Sequence, residues 1–313
     1  MPRQLAAIAA LMLAACSAAA PTPPSASTDA APTAQPLARF IELEAVPSAF
    51  VQPRNVTIWL PPGYDPAGPA YPVIYAHDGQ NMFHPGYSGD GGKEWQVDET
   101  AARLVSERVI RAPIIVGIWN TDKRWEEYAP QRVVERIDPL DVAPGGDMPA
   151  LLADAYLRFI VEELKPKIDA DYNTAPGKAD TTIMGSSMGG LISLYAAAEY
   201  PDVFGRAACV SIHWPLGNPD GPIADAAVPA MVAYLSENAK LDPATQTLWF
   251  DNGTGTLDAY YPAYAAQMEA FFRQRGWTPD QARFTTYGGT DHSETSWAAR
   301  VDDILVFLLG PPA

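Results

Sequence analysis

Five residues, Gly185-Ser186-Ser187-Met188-Gly189, join a short apolar run, Thr181 to Met184, to an Ala- and Leu-rich helical run, Leu191 to Tyr200, that Pro201 stops. A strand that becomes a helix in so few residues must bend sharply, and side chains flanking the bend collide; the two glycines of G-x-S-x-G remove them. The spacing centres on Ser187, with Ser186 its neighbouring hydroxyl. The helix N-terminus places positive partial charge at Met188, where an oxyanion would form. The pattern alone is weak, because five-residue runs of small residues recur by chance and Ser187 then merely caps a turn. Its position between an apolar strand and a helix makes it a nucleophile elbow.

The rest of the chain repeats that alternation. Arg39 to Val46 and Val56 to Leu60 alternate apolar and polar residues and read as half-buried strands. Val73 to Ala76 and Ile114 to Trp119 are continuously apolar, as central parallel strands are. Ala207 to Ile212, Thr247 to Phe250 and Arg283 to Tyr287 follow as further strands. Helical spacing runs over 95–108, 151–168, 226–238, 261–275 and 295–309. Strands alternating with helices predict one α/β domain over 37–313, a mostly parallel central sheet with helices on both faces; with a nucleophile elbow in it, the expected fold is the α/β-hydrolase fold.

A serine hydroxyl needs a base to take its proton. Of four histidines, His292 lies in Gly288-Gly289-Thr290-Asp291-His292-Ser293, a glycine-rich loop between the last strand and the last helix. That placement, and the chain order serine, acid, histidine, suit the fold. His213 comes too soon after Ser187 for that order and, with Trp214, is expected to wall the pocket. His77 ends a strand and is expected to organise the oxyanion loop; His84 is expected to be solvated. The acid must follow the penultimate strand, where Asp251 and Asp258 compete: Asp251 would otherwise fix a turn, and Asp258 cap a helix. One oxyanion donor is the N–H of Met188, and the other comes from Asp78-Gly79-Gln80-Asn81.

The first residues read as targeting. Arg3 precedes an apolar run, Leu5 to Ala15, too short for a bilayer, which needs roughly 20 apolar residues. It ends in Leu13-Ala14-Ala15-Cys16, which resembles a lipobox. The expectation is a lipoprotein signal over 1–15, a lipidated Cys16, and a disordered Ala/Pro/Ser/Thr tether over 16–36. Such a chain is exported and anchored at the periplasmic face, in the outer membrane or at the cell surface. Cleavage at Ala18-Ala19-Ala20 is the plainer alternative. The one other cysteine, Cys209, belongs to a strand and packs. A net charge of −16 argues against nucleic acid as a partner.

Taken in order, YPVIYAHDGQNMF, GKEWQVDETAARL, IIVGIWNTDKRWEEYAP, MGSSMGGLISLYAAAEYPDVFG and GTGTLDAYY resemble the putative esterase family, which includes feruloyl, acetyl-xylan and enterochelin esterases, esterase D and the mycolyltransferases. The resemblance spans nearly all of 40–309. It implies Ser187 as nucleophile, His292 as base, Asp258 as acid after Gly253-Thr254, and Gln80 as second oxyanion donor, with no cofactor or metal. Arg124, Glu127 and Tyr128 match an R-x-x-E-Y segment that shapes the pocket or forms a structural salt bridge and turn. Trp95, Trp119, Trp125 and Trp214 are expected near the site. The implied activity is ester hydrolysis through an acyl-enzyme, on a small or carbohydrate-linked ester. The alternatives are a siderophore or lactone ester, acyl transfer to a sugar, or a non-catalytic binding lipoprotein.

Overall fold

The computed structural model describes residues 37–86, 92–143, 146–148, 150–237 and 240–311. The signal peptide, Cys16 and the tether lie outside the described residues. Eight strands form one sheet: β1 (Arg39–Val46), β2 (Arg54–Leu60), β3 (Val73–His77), β4 (Ile114–Ile118), β5 (Thr181–Ser186), β6 (Arg206–Val210), β7 (Thr247–Asn252) and β8 (Ala282–Thr286). Their spatial order is β1-β2-β4-β3-β5-β6-β7-β8. β2 pairs antiparallel with β1 and β4, and every pairing from β4 to β8 is parallel. This mostly parallel sheet, with helices against both faces, is the α/β-hydrolase fold.

Period-two alternation divides the core between the two faces. Along β6 and β7, Ala207, Cys209, Leu248 and Phe250 face one cluster with Leu191 and Ile192, from the helix Met188–Glu199. Ala208, Val210 and Trp249 face the other, with Ile304 and Leu305 from the helix Val301–Leu309. Because β3 and β5 to β8 run parallel, their C-terminal ends share one edge of the sheet. Those ends and the loops that leave them carry Asp78 to Gln80, Ser187, Ser211 to Trp214, Asp251 to Asp258 and His292. In open parallel sheets this edge is where ligands bind.

Three elements depart from expectation for local reasons. The helix expected over 151–168 runs as Ala153–Arg158, a π-helical stretch Phe159–Leu164 and Lys165–Asp171. Pro166 has no N–H to offer the carbonyl of Glu162, and the helix widens just before it. β6 stops at Val210, two residues short of expectation, because Ser211 takes a positive φ of 40°. The last helix breaks into Glu294–Ala298 and Val301–Leu309 at Arg300, whose side chain turns inward and is buried. Among the described residues no helix is long and apolar enough to cross a membrane.

Candidate active site

Ser187 sits between β5 and the helix Met188–Glu199 with φ 58° and ψ −121°, a strained conformation for a residue with a side chain. The bend needs glycine at 185, because a Cβ there would lie 2.9 Å from the carbonyl carbon of Gly189. The backbone fixes the apex: the N–H of Ser187 donates to Val210 O at 2.9 Å, and its carbonyl accepts from the N–H of His213 at 3.1 Å. Ser187 keeps partial exposure while Ser186 is buried.

The expected oxyanion donors, Gln80 and Met188, each open a helix, so neither N–H has an intrahelical acceptor. The loop holding Gln80 lies against the first turn after the elbow: a Cβ on Gly189 would come 3.4 Å from Asp78 Oδ2 and from His77 Cβ. Asp78 itself adopts φ 55°. Arg124 grips its carboxylate with two bonds of 2.8 Å, and Asn120 Nδ2 donates to it at 2.6 Å. Burial would push the Asp78 carboxyl up, but Arg124 and Asn120 hold it below the ordinary range. The backbone N–H of Asn120 also donates to Gln80 Oε1 at 3.1 Å.

Arg124, Glu127 and Tyr128 form salt bridges and hydrogen bonds to other elements, and the Arg124 guanidinium also lies over the Tyr128 ring, 5.1 Å from its centroid. Arg124 holds Asp78, Glu127 is paired inside the protein with Arg54 at 2.6 Å, and Tyr128 OH accepts the N–H of Asp78. The three fasten one short helix, Arg124–Tyr128, to the loop that carries Asp78 and Gln80 and to β2. His77 is fully buried beneath that loop, with Nδ1 2.8 Å from Tyr156 OH, and burial pushes it down to about 3.

On the opposite side, His292 Nδ1 lies 2.5 Å from Asp258 Oδ1, and the backbone N–H of His292 donates to Thr256 Oγ1. Asp258 is fully buried within a 3₁₀ turn, Thr256–Tyr260. Its Oδ2 accepts from Ser211 Oγ at 2.6 Å and from Gly253 N–H at 2.5 Å. Burial works to push this carboxyl up, yet His292, Ser211 and Gly253 hold it below its ordinary range. The histidine loop docks on the acid loop at Gly253, where a Cβ would stand 2.3 Å from Thr290 O.

Asp251, the other candidate, is occupied elsewhere. It accepts from Arg300 Nη2 at 2.8 Å, Trp249 Nε1 at 2.7 Å and Ser211 N–H at 2.9 Å. Sequence reasoning missed Ser211, Tyr261, Trp297 and Arg300. The aromatic pair packs edge-on against the ring of His292, with centroids 5.8 and 5.1 Å away. No sequence signal singles them out, since each sits in an ordinary helix or loop.

His213 has both ring nitrogens engaged, Nδ1 with Tyr261 OH at 2.6 Å and Nε2 with Gly217 O at 2.9 Å. Burial, then the charge of His292, pushes it down to about 4. It links the Ser187 backbone to Tyr261 and so to His292. Trp214 is buried and stacks on Phe250, which makes it core rather than pocket wall. Trp95 is likewise buried, against Trp297. Trp125 is partly buried, near Leu216 O. Trp119 lines an open cavity of about 590 Å³ with Glu42, Asn55 and His84. His84 is half-buried and 3.2 Å from Glu42 rather than simply solvated. Cys209 is buried in β6. Among the described residues no group of His, Cys, Asp and Glu is placed to hold a metal ion.

A family profile described as "Putative esterase" matches residues 48–308. The uncharacterized protein YbbA of Bacillus subtilis is 22% identical over 263 residues, 82% of this chain and 93% of its own. The ferri-bacillibactin esterase BesA of the same organism is 30% identical over 165 residues, about half of each chain (49% and 52%). Among solved structures, a ferulic acid esterase superposes with a TM-score of 0.61 at 18% identity, covering 87% of this chain and 98% of that one.

Proposed function

The chain belongs to the putative esterase family, and from that premise we propose that it is a serine ester hydrolase, with Ser187 its nucleophile, His292 its general base and Asp258 the acid that orients the base. The observation that carries this reading is the 2.5 Å bond from His292 Nδ1 to Asp258, with Asp251 committed to Arg300. Ser187 Oγ attacks the ester carbonyl carbon while His292 Nε2 takes its proton. The oxyanion is held by the N–H groups of Gln80 and Met188. His292 then gives the proton to the departing alcohol, and water, activated by the same imidazole, releases the acid from Ser187. The soluble domain from Leu37 is expected to hydrolyse p-nitrophenyl acetate. Ser187→Ala should lower kcat on the order of 10⁴-fold or more. A rate that survives the substitution refutes the assignment, and a folded wild type that takes no fluorophosphonate label points instead to a binding role.

For the substrate, the likeness to a ferulic acid esterase supports an ester of an aromatic acid or a carbohydrate-linked ester. The partial likeness to BesA supports a siderophore lactone as second reading, against which stands the net charge of −16 toward a polyanionic ligand. Rates on a feruloylated sugar and on a catecholate trilactone, measured side by side, separate the two. Acylated sugar among the products would reveal transfer rather than hydrolysis. The lipobox-like run before Cys16 extends the proposal to an exported, lipid-anchored protein. Incorporation of labelled palmitate that disappears in Cys16→Ala is the expected result.

A further inference from the structure

Ser211 has no assigned part in this chemistry, yet its hydroxyl is fully used. Its oxygen accepts from Trp297 Nε1 at 2.9 Å and from Arg300 Nη2 at 2.7 Å, and lies 2.6 Å from Asp258 Oδ2. Indole and guanidinium nitrogens are donors only, so both lone pairs of Oγ are taken and its single proton has one place to go, the carboxylate of Asp258. An ordinary serine hydroxyl rotates to suit its surroundings; this one is locked. Arg300 is fixed in turn by Asp251, and it also donates to Thr290 in the histidine loop.

The backbone makes the same point. Ser211 stands at φ 40°, a conformation glycine takes without cost and other residues take reluctantly. It is held there because its N–H donates to Asp251 while its hydroxyl completes the network. The terminal sp³–sp² torsion of an aspartate is broad and roughly two-fold, so a carboxylate does not by itself choose which oxygen meets a partner. Asp258 Oδ2 is pinned by Ser211 and Gly253, which leaves Oδ1 to His292.

We infer that Ser211 is a positioning residue for the triad acid: its locked hydroxyl, oriented by Trp297 and Arg300, fixes Asp258 so that one oxygen is presented to His292. The inference rests on the assignment of Ser187, His292 and Asp258 made above. It predicts that removing the hydroxyl disorders the His292–Asp258 contact without touching substrate.

Two variants with opposite backbone consequences test it. Ser211→Ala removes the hydroxyl and keeps the strain; Ser211→Gly removes both. If the proton is what matters, kcat falls in both by a similar factor, about 10- to 100-fold, the span of a hydrogen bond to a charged group. KM stays near the wild-type value in both, even though their thermal stabilities differ. A kcat within twofold of wild type in either folded variant overturns the proposal, as does a loss that tracks stability rather than the hydroxyl. A second readout is independent of turnover. In the full domain carrying Ser187→Ala, the downfield proton resonance of His292 Nδ1–H should be present and should shift upfield or broaden away when Ser211→Ala is added. An unchanged resonance overturns the proposal. Failure of the esterase reading would look different: wild-type protein inert to esters and to fluorophosphonate, while the resonance still responds to Ser211.

Discussion

Asp78 and Asp258 reach the same edge of the sheet from the loops after β3 and β7, and the structure spends their charges differently. Asp78 meets Arg124 through both oxygens, at the rim, where the arginine side chain is 34% exposed. Its charge is balanced by a permanent cation, and the pair serves as a strut under the loop that carries Gln80. Asp258 is fully buried and, apart from His292, is held by neutral donors, the Ser211 hydroxyl and the Gly253 N–H. Neutral donors keep a buried carboxylate ionised without quenching it, so its charge remains available to an imidazole that becomes positive during the reaction. Asp251, next to Asp258 in the fold, also faces an arginine, but meets Arg300 through one oxygen, and burial leaves its carboxyl above the ordinary range. A carboxylate facing arginine is a brace; one facing neutral donors and a histidine keeps the charge that the proposed acid needs.

The largest effect that would break this contrast comes from exchanging the roles of the two neighbours. Asp258→Asn keeps the shape and removes the charge, and kcat should fall on the order of 10⁴-fold in a protein that stays folded. Asp251→Asn should do the reverse. It leaves Arg300 as an unpaired buried cation, a change that typically costs about 3–5 kcal/mol of stability. Activity per folded molecule should fall far less than in Asp258→Asn. Denaturant melts alongside active-site titration with fluorophosphonate measure both. If Asp251→Asn proves the more damaging to kcat and leaves stability intact, the acid has been assigned to the wrong aspartate.

On the oxyanion side the expected effect is smaller, because Arg124 acts on the donor loop and not on the substrate. Losing a donor outright costs on the order of 10²- to 10³-fold in kcat, and Arg124→Met, one step removed, should stay below that. kcat and kcat/KM should fall together, the mark of an interaction felt in the transition state. A rise in KM with kcat unchanged would instead make Arg124 a substrate-binding group, and Asp78 its counter-ion.

The two sides also differ in how far they were legible in the sequence. The elbow is a local event: five consecutive residues carry the turn, the serine and one proposed oxyanion donor, and an apolar strand announces them. The strands are readable for the same reason: apolar–polar alternation marks β1 and β2, and short apolar runs mark most of the others. The acid side is assembled from residues far apart, with Ser211, Asp251, Asp258, His292, Trp297 and Arg300 drawn from four segments. Nothing local distinguishes Asp251 from Asp258; the difference is made by Arg300, which lies 49 residues beyond the first of them. The same long-range pull breaks the last helix at Arg300 and ends β6 at Ser211. The R-x-x-E-Y segment suggests a structural salt bridge, but its partners, Asp78 for Arg124 and Arg54 for Glu127, lie 46 and 73 residues away and no local pattern names them.

The smallest per-unit effect, and the one that sharpens the contrast without touching the chemistry, is the response of stability to acid. His77 lies under the oxyanion loop and His213 joins the Ser187 backbone to Tyr261, and burial holds both neutral, down to about 3 and about 4. An exposed histidine in the unfolded chain takes a proton near pH 6.5. Below that value the unfolded state binds protons that the folded state refuses, so stability is intact above about pH 6.5 and is lost as the pH falls toward the folded values. The slope is about 1.4 kcal/mol per pH unit for each histidine, at most. Urea melts at pH 7, 6 and 5 should show this decline, and His213→Gln and His77→Gln should each flatten it by about one proton. A decline that only His77→Gln flattens would place the acid-sensitive contact wholly on the oxyanion side. One that only His213→Gln flattens would place it between the serine and the acid, where the buried network that orients Asp258 begins.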